Sequence, residues 1–71
     1  MSRRNPTADA LHGQIAALEA DLFANVLDER TASLRASSIR AKIHRATVMR
    51  MLTLPEQGEL DTRLTLVLER R

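Results

Sequence analysis

The chain has no cysteine, tryptophan or tyrosine, and one phenylalanine in 71 residues. Without thiols it can form neither disulfide staples nor thiolate metal sites, although cysteine-free chains are common enough in the cytosol that the compartment stays open. Without aromatic platforms it cannot hold single-stranded RNA or DNA by stacking bases. Any core must come from Leu, Ile, Val, Met and Ala, a palette that favours helices. The two glycines, Gly13 and Gly58, stand alone and cannot cradle a phosphate. Neither Gly nor Pro occurs between Gly13 and Pro55, so no strong breaker marks a turn in that interval. Apolar runs such as Ile15 to Leu18 are far too short to span a bilayer, and no continuous apolar stretch follows Arg3 and Arg4 as a signal peptide requires. The chain is expected to be cytoplasmic, with no membrane partner.

The formal net charge of +2 hides a segregation. From Asp9 to Glu29 every charged residue is acidic (Asp9, Glu19, Asp21, Asp28, Glu29). From Arg30 to Arg50 every one is basic (Arg30, Arg35, Arg40, Lys42, Arg45, Arg50). Segments of opposite sign attract, which suits an acidic helix folding back on a basic one.

The basic stretch, Thr31 to Leu54, carries two apolar stripes at helical spacing. Ala32, Ala36, Ile39, Ile43 and Ala46 form one, and Leu34, Ala41, Val48 and Leu52 form another about half a turn away. A helix apolar on two sides needs two partners. The preceding helix can be one, and in a chain this short the other is expected to be a second copy or a partner protein.

In chain order, residues 1–6 are expected to be a flexible basic N-terminus, and residues 7–71 a single helical domain with helices at about 7–27, 29–53 and 55–70. The first helix has two candidate starts, Asn5 as N-cap with Pro6 at the first position, or Thr7 as N-cap. Its main stripe is Leu11, Ile15, Leu18, Leu22 and Val26, with Ala16, Ala20, Phe23 and Leu27 as a weaker second. Between Asn25 and Thr31 the heptad phase survives, which allows one unbroken helix. A turn near Asp28 is preferred, because a continuous helix would bury Glu29 in a seam. Thr53 and Glu56 have capping-box spacing around Pro55, and Leu60, Leu64, Val67 and Leu68 make the stripe of a third helix. The alternation of Leu64, Leu66 and Leu68 permits a rival strand over 63–69. The expected fold is all-α: an antiparallel helical hairpin plus a short third helix, assembling as a dimeric bundle.

No constellation points to catalysis, a metal or a cofactor. His12 lies three residues after Asp9 on one helical face, and His44 is alone; neither pair nor singleton makes a ligand set. Ser33, Ser37 and Ser38 lack the elbow or base that a nucleophile needs. The core or dimer seam is assigned to Leu11, Ile15, Leu18, Leu22, Leu34, Ile39, Ile43, Val48 and Leu52, with Met49 also read as core. Met51, Leu54 and Leu68 are candidate partner contacts. Arg35, Lys42 and Arg45 share one helix flank and would be the phosphate contacts of a nucleic-acid binder. The function expected is protein interaction: a small non-enzymatic helical module that inhibits, adapts or chaperones a partner, as do phage- or plasmid-type antagonists of a host machine and secretion-type chaperones. The alternative is a small dimeric DNA-binding protein or repressor that uses the basic central helix.

Overall fold

Local rules at the turns set where each helix begins and ends in the computed structural model, which describes residues 5–69. The helices are α1 (Pro6–Phe23), α2 (Glu29–Val48) and α3 (Leu54–Glu69), with no strand among the described residues. Residues 1–4 of the expected flexible tail, and position 70 of the expected third helix, lie outside the described residues.

Asn5 settles the first choice of helix start. Its backbone is extended (φ −97°), and its Oδ1 accepts from the N–H groups of Thr7 at 3.0 Å and Ala8 at 3.5 Å, with Pro6 at the first helical position. Asn5 and Pro6 therefore belong to the folded unit and not to the tail.

Helix α1 stops four residues short of the expected 27. Asn25 takes the left-handed conformation (φ 62°), its N–H donates to the Leu22 carbonyl at 3.1 Å, and the Val26 N–H donates to the Asp21 carbonyl at 3.1 Å. These two bonds are a Schellman motif, and Asn tolerates its left-handed position better than most side chains. Asp28 then caps α2, its Oδ1 accepting from the Thr31 N–H at 2.7 Å. The unbroken long helix is thus interrupted over residues 24–28. The same motif ends α2 at Val48 and not at 53: Arg50 is left-handed (φ 62°), its N–H donates to Thr47 at 3.0 Å and that of Met51 to Ala46 at 2.8 Å. The capping box of α3 forms as its spacing predicts, with Thr53 N–H on Glu56 Oε1 at 2.8 Å and Glu56 N–H on Thr53 Oγ1 at 3.3 Å. Residues 63–69 are helix, which overturns the strand reading.

Each helix touches the other two. Leu11, Ile15 and Leu18 of α1 are buried with Leu60, Leu64 and Val67 of α3 against the first stripe of α2, all five of whose members are buried. That stripe is rich in alanine (Ala32, Ala36, Ala46), and small side chains let two helices approach the same side of α2 closely. Both neighbours therefore sit on one face of α2, where the two-stripe pattern suggested opposite faces. The molecule measures only 37 × 25 × 16 Å, so its thinnest dimension leaves little room for a second layer beyond the triangle of helices.

The second stripe divides as a result. Leu34, Ala41 and Val48 lie in solvent, whereas Leu52 is buried because α2 has already ended and the chain turns it inward. Met49, read as core, is exposed: seven residues after Lys42, it projects on the flank of α2 that the core does not cover.

Candidate interaction surface

Polar contacts along the helix seams use up much of the basic flank of α2. Arg35 Nη1 lies 2.6 Å from Asp21 Oδ2 on α1, and Lys42 Nζ donates to Gln14 Oε1 at 3.2 Å. Arg40 donates to Thr65 Oγ1 of α3 at 3.3 Å. Of the three candidate phosphate ligands, Arg45 alone has no side-chain hydrogen bond or ion pair among the described residues. The Asp21–Arg35 pair is half-exposed, so solvent screening limits it to about 0–1 kcal/mol.

His12 is occupied by α3 and not by Asp9. Arg63 Nη1 lies 2.9 Å from His12 Nδ1, and His12 Nε2 faces Glu59 Oε1 at 4.0 Å. No group of three metal-ligating side chains occurs among the described residues. Ser33, Ser37, Ser38 and His44 are exposed along α2.

Asn5 joins three parts of the chain. While its Oδ1 caps α1, its Nδ2 donates to the Met51 carbonyl at 2.9 Å and to Glu56 Oε1 and Oε2 at 3.2 and 3.1 Å. The backbone N–H of Thr53, foremost, and then the Asn5 amide hold the Glu56 carboxyl below its usual range; hydrogen bonds from Thr31 do the same for Asp28.

Large apolar side chains remain in solvent at four places, one of them Leu66 of α3, 49% exposed. On α2, Leu34 and Val48 are 64% and 67% exposed, with exposed Ala41 midway between them. At the α2–α3 junction Met49, Met51 and Leu54 are exposed, Leu54 to 74%. At the end of α1, Phe23 is 93% exposed because it lies off the buried Leu11, Ile15 and Leu18 stripe, and Val26 is exposed because the left-handed Asn25 turns the chain away after the helix has ended. Phe23 borders a groove of about 690 Å³ formed with Ala16 and Ala20 of α1 and Val67 of α3.

The seam residues assigned from sequence thus separate. Leu11, Ile15, Leu18, Ile39, Ile43 and Leu52 are in the core, Leu22 packs at its margin, and Leu34 and Val48 face solvent. Of the candidate partner contacts, Met51 and Leu54 are exposed, while Leu68 is half-buried against the core. Phe23 lies on α1 as its stripe predicts, but on a side the core does not cover; Val26, expected on the main stripe, falls beyond the helix, and the signal for this is Asn25, a residue suited to the left-handed end of a helix. No helix among the described residues is long and apolar enough to cross a membrane. Comparison of the chain with protein-family profiles, curated proteins and solved structures finds no match.

Proposed function

We propose that this chain is a non-enzymatic protein-interaction module, acting in the cytoplasm as an inhibitor, adaptor or chaperone of a partner protein. The observation that carries the reading is the set of large apolar side chains left in solvent around a core that is already closed by three helices. Scattered exposed leucines need no explanation, but Val48, Met49, Met51 and Leu54 fall within seven successive residues of a small domain. Methionines in such a patch adapt to irregular partners. In this reading α1 and α2 form an antiparallel hairpin braced by α3, and the hairpin presents the apolar residues; pairing of two copies belongs to the same class of interaction.

The DNA alternative is weaker on electrostatic grounds. Arg35 is paired with Asp21, while Lys42, bonded to the neutral Gln14, and Arg45 keep their charge, so the flank that would track phosphates has lost one of its three cations to an acid of α1. The test is affinity capture with the full chain from its native host, with and without nuclease. A protein retained after nuclease treatment, and lost when Val48, Met51 and Leu54 are together changed to Ser, is the expected result. Retention that vanishes with nuclease, or tight salt-sensitive retardation of random duplex DNA, would replace this function with the alternative.

A further inference from the structure

The solvent face of α2 carries an ordered pattern that the general interaction reading does not use. Leu34, Ala41 and Val48 recur every seven residues, lie directly opposite the buried stripe, and extend about 21 Å along the helix. From Arg30 to Val48 every charged residue beside this line is basic. Arg30 and Arg45 are exposed without a side-chain partner among the described residues. Arg40 and Lys42, one on each shoulder, are bonded only to the neutral groups of Thr65 and Gln14. After Glu29 no residue of α2 is acidic.

We infer that this face docks an acidic amphipathic helix of a partner protein, one that lays leucine-like side chains along Leu34, Ala41 and Val48 and sets carboxylates against Arg30, Arg40, Lys42 and Arg45. The inference rests on the proposed function and names the chemistry of the partner. A helix is the fitting shape because the contact line is straight with heptad spacing, Ala41 at its centre allows close approach, and α2 offers no unpaired backbone to an extended strand. Charge selects the occupant. Two copies meeting across α2 would oppose basic shoulders to basic shoulders, an arrangement that disfavours this face as the seam of a homodimer.

The test uses the full chain and a synthetic helical peptide of three heptads, with Leu at each a position, Ala at each d position and Glu at the flanking e and g positions. A second peptide carries Lys in place of Glu. Binding is read by fluorescence anisotropy. The acidic peptide should bind at least about 10-fold more tightly than the lysine peptide and weaken several-fold as salt rises from about 50 to about 200 mM. Arg30→Glu with Arg45→Glu, and separately Leu34→Ser with Val48→Ser, should each abolish binding. All four positions are exposed, so unchanged thermal melting of these variants establishes that the loss is one of docking.

Equal binding of both peptides, or none of either, overturns the inference. Self-association in sedimentation equilibrium that disappears in Leu34→Ser with Val48→Ser would give the face to a second copy and also overturn it. Duplex DNA binding abolished by the arginine reversals would give it to nucleic acid. If the native partner is still captured by both α2 variants but lost on changing Met51 and Leu54 to Ser, this inference fails while the interaction function stands; if no protein is captured at all, the function fails with it.

Discussion

Asn5 supports both the start of α1 and the approach to α3, and replacing it separates these roles. Asn5→Ala removes the cap, worth about 1 kcal/mol, and the hydrogen bond from Nδ2 to the Met51 carbonyl, worth about 1 kcal/mol net. The contact with solvent-screened Glu56 adds no figure to this sum. The expected loss of about 2 kcal/mol corresponds to a fall in Tm of roughly 8–16 °C for a domain of this size. Asn5→Asp is the discriminating change. Asp caps a helix as well as Asn does, but it has no donor for Met51 and sets a second carboxylate where the amide now lies 3.1 Å from Glu56. It should therefore remain destabilising, and Glu56→Gln in the same chain should recover part of the loss. Thermal and urea unfolding followed by circular dichroism give both numbers. If Asn5→Asp is as stable as the parent, the bridge contributes nothing and the reasoning fails.

Three further expectations concern the core, the backbone and pH. Ile43 is 1% exposed, so Ile43→Asp should abolish cooperative unfolding, because a buried unpaired charge costs several kcal/mol in a domain whose total stability is about 4–10 kcal/mol, whereas Leu34→Asp on the opposite face should leave the melt nearly unchanged. Gly13→Ala and Gly58→Ala meet no atoms within 4 Å and should each stabilise by about 0.5–1 kcal/mol, and Arg50→Gly should do likewise by relieving the left-handed position; a lower urea midpoint for any of them would contradict the assigned backbone. Glu56 and Asp28 have folded pKa values below their unfolded ones, so the unfolded chain binds protons first on acidification: their stabilisation is intact above the ordinary carboxylate range and lost as pH falls below about 4, a loss that Glu56→Gln should flatten in a Tm-against-pH series.

Features that depend on a few neighbouring residues are legible in the sequence. The capping box of Thr53 and Glu56 and the capping role of Asp28 follow from spacing alone, because each is closed by hydrogen bonds spanning three residues. The buried stripe of α2 and the stripes of α1 and α3 follow from the 3.6-residue period. The C-terminal ends of α1 and α2 were less legible. A Schellman motif is usually announced by glycine, and here Asn25 and Arg50 take the left-handed position instead, so both helices were read four or five residues too long.

The sequence by itself determined that the chain is helical, that a helix starts beside Thr53 and Pro55, and which stripe of each helix is apolar, since these follow from local hydrogen bonding and periodicity. Only the tertiary structure decided which of the two apolar stripes of α2 would be covered. That choice depends on where α1 and α3 return in space, and the alanines of the first stripe admit both of them on one side. Leu34 and Val48 were left in solvent, and Leu52 was drawn into the core by a turn that the helix period does not describe. Burial is settled between segments far apart in the chain, and no spacing within one helix contains it.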